Sequence, residues 1–122
     1  MRFFRFDAEK AKEIQQFESK GIGCTPILRQ EGWLQVGCFH FAPGSVLGLH
    51  SAICPQLFMV VAGDGWVRAE TTARFPVRAG QAVFWTRGER HESGSDTGMT
   101  VMVFEGSEMD PEPWMEEIEG RG

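Results

Sequence analysis

The chain has 122 residues, the length of one domain, and its 42% hydrophobic and 24% charged residues are ordinary for a globular protein. A net charge of −5 with scattered basic residues excludes the basic stripe that nucleic-acid binding requires, so we expect no nucleic-acid partner. The three cysteines form no CxxC pair, and no apolar run reaches membrane-spanning length or resembles a signal core, so we expect a cytoplasmic protein and no membrane partner.

The N-terminal segment predicts a strand over 2–6 followed by a short helix. Asp7 is a suitable helix cap, and apolar residues then recur every third position at Ala8, Ala11, Ile14 and Phe17. The glycines at 21 and 23 end this pattern. We therefore expect one short amphipathic helix before the remaining elements.

From Cys24 to Glu105 the pattern changes to short strands separated by turn residues. The run 57–62 is apolar throughout, which predicts a strand buried on both faces. The other predicted strands cover 33–41, 66–69, 75–78, 81–85, a strand starting at 91, and 99–105. Such a series is typical of an all-β sandwich or barrel, and periodicity alone leaves a jelly roll and other small β architectures open.

The C-terminal segment is acidic between 108 and 119. We expect this run to be a solvated end. Asp110 and Pro111 are suited to cap and open a short helix over 112–117.

Two glycine–histidine patterns stand out within the strand-rich region. In the first, Gly44 is followed after five residues by His50, then by Ala52, by Gln56 after three more residues, and by Gly63 after six more.

The second pattern begins 17 positions after Gly63. Gly80 is followed by five residues, the tripeptide 86–88, two residues, His91, three residues and Ser95.

Both spacings resemble the two motifs of the cupin family, and they look most like the small single-domain bacterial cupins. The resemblance implies an all-β, cupin-like jelly-roll β-barrel with a short N-terminal helix. It implies one domain over 1–122, with the barrel core at about 24–105 and the acidic tail at 106–122. Small cupins commonly form homodimers, and the aromatic residues Phe3, Phe4 and Phe6 are candidate contacts with a partner.

The resemblance also implies a metal site. Cupins typically hold a divalent metal with three histidines and one glutamate. Here His50, Gln56 and His91 stand at ligand positions, and Ala52 replaces one histidine. The cofactor expected is a divalent ion such as zinc, nickel, iron or manganese, or none, since three neutral ligands bind a dication more weakly than a set with a carboxylate.

Further side chains are candidates for the same site. Glu89 lies two residues before His91, so strand alternation makes it a candidate ligand or general base, the alternative being a turn carboxylate at the surface. Phe58 and Trp85 are candidates for the apolar wall that binds a cofactor or ligand, unless they are plain core residues. Cys54 lies between two ligand positions, and is a ligand candidate or a small core residue.

The third histidine, His40, has no partner by spacing and is interpreted as structural or interfacial.

Two functions follow from these interpretations. In the first, the protein is a metal-dependent enzyme that acts on a small organic molecule; the reactions of the cupin family include dioxygenation, isomerisation and decarboxylation. In the second, it is a non-catalytic ligand-binding or regulatory module with a degenerate metal site. Both take a small-molecule ligand.

Overall fold

A computed structural model describes residues 1–118 of the chain. Within this range the regular secondary structure consists mainly of strands. These are β1 (Arg2–Arg5), β2 (Lys12–Glu13), β3 (Gly23–Cys24), β4 (Leu34–Phe41), β5 (Ser45–Ser51), β6 (Gln56–Ala69), β7 (Phe75–Arg78), β8 (Gln81–Trp85), β9 (Arg90–Ser95), β10 (Met99–Gly106) and β11 (Glu116–Glu117).

The long strand β6 joins two layers of antiparallel sheet. Its first half pairs with β8 and β10, in the layer ordered β11-β1-β8-β6-β10-β4. Its second half pairs with β7 and β9, and β9 pairs in turn with β5. The all-β, jelly-roll prediction is therefore confirmed.

Two motif glycines fix the path of these strands. Gly63, with φ of 76°, lies in the middle of β6, and a Cβ there would collide with the carbonyl oxygen of Gly98. Gly80, with φ of 90°, separates β7 from β8, and its Cβ would lie 2.9 Å from that of Asp7. Side chains are strained in this left-handed region, which explains why glycine occupies both positions.

The apolar residues form two clusters, one on each face of the first layer. Along β6, Phe58 and Val60 point to the barrel interior, whereas Leu57 and Met59 point to the opposite face. The alternation of side chains along a strand produces this division. It confirms burial on both faces for residues 57–60 of the predicted run, whereas Val61 is 46% exposed and Ala62 is also exposed.

The predicted N-terminal helix is replaced by two separate 3-10 turns, Ala8–Lys10 and Gln16–Glu18, with β2 between them. None of the residues in the two turns is buried, and Phe17 is 94% exposed. A helix this short is marginal in water without a surface to cover. The apolar residues do recur every third position, but within residues 1–118 neither turn buries an apolar side chain.

The N-terminal aromatic residues pack within this chain. Phe3 is fully buried in the interior cluster, and Phe4 is fully buried in the opposite cluster. The expectation that they contact a partner is wrong for these two residues, because β1 pairs with β8 and turns one ring to each face.

The predicted C-terminal helix over 112–117 does not form. A turn closes on the carbonyl of Pro111, and β11 then pairs with β1. Met109 and Met115 are buried in the opposite cluster, so packing outweighs the weak helical tendency of a short segment.

The acidic run is partly held against the barrel edge. Arg2 bonds to the carboxylates of Glu112 and Glu117, both at 2.8 Å. The Glu112 side chain is 65% exposed and that of Glu117 is 38% exposed, and the end of the predicted tail, 119–122, lies outside the described residues. Across residues 1–118, no helix has the length and apolar character needed to cross a membrane.

Candidate metal and ligand site

The two motif histidines face each other across a pair of strands. His50 on β5 is directly opposite His91 on β9 in the register of this pair. Their ring centres lie 4.4 Å apart, with an angle of 59° between the ring planes. The structure therefore brings together two imidazoles that are 41 positions apart in the sequence.

Each imidazole is oriented by a backbone carbonyl. Nδ1 of His50 is 2.6 Å from the carbonyl oxygen of Gly48, and Nδ1 of His91 is 3.1 Å from that of Glu89. A carbonyl oxygen only accepts, so in the neutral ring Nδ1 carries the proton and Nε2 keeps its lone pair. This is the arrangement that orients histidines toward metals in proteins.

His91 is held in its neutral form by its surroundings. The residue is only 2% exposed, and its ring stacks on Trp85 at 4.0 Å with an interplanar angle of 15°. Burial lowers the pKa of His91; the carbonyl of Glu89 opposes this shift, and the neighbouring His50 adds to it. The neutral imidazole is the form that binds a metal ion.

The two histidines border a cavity of about 120 Å³, which we call the histidine cavity. Its polar lining consists of His50, Gln56, His91, Ser93 and Glu105. Its apolar lining consists of Phe39, Leu47, Phe58 and Val103. The three predicted metal-facing residues and Phe58 therefore share one cavity, whereas Trp85 is fully buried behind His91.

Glu105 brings a carboxylate into the cavity that the sequence analysis missed. Gln56 and Glu105 are partners across β6 and β10, and Nε2 of Gln56 donates to Oε1 of Glu105 at 2.9 Å. This bond orients the amide, so Oε1 of Gln56 remains available as an acceptor or ligand. Strand alternation could have identified Glu105, since Val101, Val103 and Glu105 are two residues apart and share the interior face.

Ser93 was missed in the same way. It lies two residues after His91 on β9 and is 1% exposed. Its hydroxyl has no hydrogen-bond partner within the described part of the chain. Alternation along β9 places it beside His91 on the cavity side.

Glu89 has other contacts than those expected of a general base. Its carboxylate contacts the amino group of Met1 and accepts a hydrogen bond from the Thr86 N–H at 3.1 Å. Its carbonyl accepts from Ala52 N–H as well as from His91. Glu89 thus supports the loop that orients His91, and Glu105 is the carboxylate that lines the cavity.

The remaining candidates lie outside the cavity lining. Burial raises the pKa of the Cys54 thiol, and the nearby Glu105 carboxylate adds to the rise, so the thiolate that binds metals is disfavoured. Ala52, at the position of the absent histidine, is buried in the interior apolar cluster. His40 is exposed on β4, opposite Thr100.

The donor set fits a weakly held divalent ion. Two Nε2 atoms and one amide oxygen are suitable for borderline divalent metals. Within residues 1–118, however, no group of three or more His, Cys, Asp and Glu side chains is arranged to hold a metal. Any metal here would therefore depend on the two histidines and the amide of Gln56.

Larger grooves lie on the outer surface. One of about 410 Å³ includes Arg5, Arg78 and Glu117 in its lining. Several of its charged groups bond to one another; Arg5, for example, bonds to Asp7 at 2.7 Å and to Glu9 at 3.1 Å. The histidine cavity is smaller, but it is where polar groups converge with unused bonding capacity.

Comparison with known proteins supports the fold. No protein-family model and no curated protein matches this sequence. A cupin superfamily protein from Desulfitobacterium hafniense matches with a TM-score of 0.58 at 11% identity, over 66% of this chain and 72% of that chain. An RmlC-like cupin from Shewanella frigidimarina matches with a TM-score of 0.57 at 20% identity, over 62% of this chain and 67% of that chain.

A further solved structure carries a functional description. A predicted oxalate decarboxylase from Thermotoga maritima matches with a TM-score of 0.55 at 21% identity, over 60% of this chain and 65% of that chain. At such identities the likeness establishes architecture. The chain has the jelly-roll fold of the cupin superfamily, as its two glycine–histidine motifs predict.

Proposed function

We propose that this protein binds a divalent metal ion and a small organic ligand in the histidine cavity. Nε2 of His50, Nε2 of His91 and Oε1 of Gln56 hold the metal. The observation that carries the proposal is the matched orientation of the two imidazoles, each with Nδ1 at a backbone carbonyl and both bordering one cavity. Such backbone partners leave Nε2 as the metal ligand.

The electrostatics of the cavity support a dication. Glu105 does not replace the missing glutamate ligand, but its carboxylate bonds to Gln56 and lines the same space. The Glu105 carboxylate would thus offset part of the charge of a bound dication without being its ligand. The nitrogen and oxygen donors suit zinc, nickel, iron or manganese.

The enzymatic form of this proposal is a metal-dependent reaction on a small organic acid; the Thermotoga maritima neighbour is described as a predicted oxalate decarboxylase. When bound, the metal would supply Lewis-acid or oxygen-activating chemistry. The chain's own residues would position the ligand: Phe58 and Val103 form the apolar wall, and Gln56 is held in place by Glu105.

A second candidate is a non-catalytic ligand-binding or regulatory module. It is favoured by one observation: Ala52, where a cupin ligand histidine would be, is buried in the apolar interior and leaves the metal set incomplete. A module of this kind would hold a metal in less than stoichiometric amount, or only the organic ligand.

Metal content tests the proposal. The protein is purified without chelators, and bound metal is measured by elemental analysis in the parent, in the double variant His50→Ala/His91→Ala, and in the control His40→Ala. We expect about one divalent metal ion per chain in the parent and the control, and loss of the metal in the double variant. Equal metal content in all three proteins would rule the site out, and a metal-free parent that takes up none on addition would favour the module.

A further inference from the structure

The hydroxyl of Ser93 is buried and makes no hydrogen bond. The residue is 1% exposed, it lines the histidine cavity, and no group within residues 1–118 bonds to its Oγ. A buried hydroxyl without a partner costs free energy. By contrast, the hydroxyl of Ser95 on the same strand bonds to the carbonyl of Asp64 and to the N–H of Gly98. Ser93 is therefore suited to a partner that enters the cavity.

The charges of the lining indicate what that partner is. Glu105 is the charged side chain among the described lining residues, and no lysine or arginine is among them. The empty cavity carries one negative charge, and a bound dication changes this to one net positive charge. In a poorly solvated space, a single negative charge on the ligand restores neutrality.

The size of the cavity limits the ligand. A volume of about 120 Å³ corresponds to roughly four water molecules at about 30 Å³ each. If a metal ion occupies about the volume of one water molecule, the remaining volume holds roughly three or four non-hydrogen atoms of a ligand. Larger groups would have to extend past Phe39, which is partly exposed at the rim.

We propose that the metal-loaded histidine cavity takes a small organic monoanion, a carboxylate of about formate size, and that Ser93 is its specificity-determining residue. Ser93 Oγ–H donates a hydrogen bond to an oxygen of the anion. This inference rests on the proposed metal site, and it adds the charge class of the ligand and the residue that recognises it.

The test uses cobalt(II)-loaded full-length protein, because the visible spectrum of cobalt reports on a ligand at the metal. Formate is the anionic probe and methylammonium is the cationic probe of similar size. The variant is Ser93→Ala. The matched control is Ser45→Ala, which removes another buried hydroxyl without a partner, on the neighbouring strand β5 and outside the cavity lining.

We expect formate to change the spectrum and methylammonium not to. Ser93→Ala should bind formate about tenfold more weakly, because a hydrogen bond to a charged group is lost, while cobalt affinity stays unchanged. Ser45→Ala should match the parent. Equal formate affinity in Ser93→Ala and the parent would overturn the assignment of Ser93, and preference for methylammonium would overturn the charge class; both leave the metal site standing. Failure of the parent to take up cobalt would overturn the proposed function itself.

Discussion

The interior of this barrel has two halves that follow different rules. One half is packed by Phe3, Val60, Val83, Trp85 and Val101, all of them fully buried. The other half is the histidine cavity, where His50, Gln56, Ser93 and Glu105 converge and the packing stops. The two halves meet where the ring of Trp85, in the packed half, stacks on the ring of His91, which borders the cavity.

The difference separates stability from ligand binding. Apolar side chains in the packed half gain free energy by leaving water, whereas polar groups in the cavity half lose hydration and recover it only with a partner. Substitutions in the packed half should therefore change the free energy of unfolding without changing metal bound per folded chain, whereas substitutions in the cavity half should change the affinity for metal and ligand.

Truncation in the packed half should have the largest effect. Phe3→Ala removes a fully buried ring, and we expect the free energy of unfolding to fall by about 3–5 kcal/mol in urea denaturation. The matched control is Phe17→Ala at a 94% exposed position, where we expect a change within about 0.5 kcal/mol. Metal bound per folded chain should be unchanged in both. Loss of metal in folded Phe3→Ala would contradict the separation of the two halves.

A charge added to the cavity half should lower apo stability and raise metal affinity. Gln56→Glu places a second carboxylate against Glu105 and removes the 2.9 Å hydrogen bond, so we expect a loss of roughly 1–3 kcal/mol in the metal-free protein. Zinc affinity measured by calorimetry should increase, because an anion now contacts the dication.

The exchange variant Gln56→Glu/Glu105→Gln is the control for this experiment. It keeps one carboxylate and one amide across the same strand pair, so apo stability should return toward the parent value while the higher zinc affinity remains. An affinity equal to that of the parent in both variants would show that position 56 does not face the metal. Adding a histidine at position 52 would be a poor test, since Ala52 is buried in the apolar cluster and a larger side chain would overpack it.

The histidine cavity also adjoins strand β4, where we propose that two copies of the chain associate. Strand β4 ends the first layer, and on its outward face Leu34 and Val36 are each 45% exposed. An edge without charges favours pairing with another strand. Light scattering should give a dimer mass at micromolar concentration, and Val36→Lys should weaken the association about tenfold. A monomer mass for the parent would contradict the homodimer.

The smallest effect concerns pH. The pKa of His91 is lowered in the folded protein, first by burial and also by His50, so the unfolded chain binds this proton more readily. Stability from the neutral ring is present above the unfolded pKa of about 6.5 and is lost as the pH falls toward the folded pKa. Compared with His91→Gln, the metal-free parent should lose stability more steeply below about pH 6.5 in denaturant titrations. Parallel curves would show that His91 is not buried in its neutral form.

The sequence predicted the barrel and the opposed histidines because glycine and histidine spacing records where strands turn and which residues meet. It did not predict Glu105 and Ser93, because their position in the cavity lining depends on which face of the strand they occupy and on where the neighbouring strands leave space. Glu89 shares parity with His91 but contacts the Met1 amino group instead. The terminal helices were overestimated because local spacing does not say whether a groove exists to bury an apolar face, as the exposed Phe17 illustrates.

The most direct test of the metal site is a crystal structure of the zinc- or cobalt-loaded protein, with anomalous diffraction measured at the metal absorption edge. The account predicts a single strong anomalous peak in the histidine cavity, about 2.0–2.1 Å from Nε2 of both His50 and His91. A peak at other residues, or no peak in this cavity at saturating metal, would contradict the account.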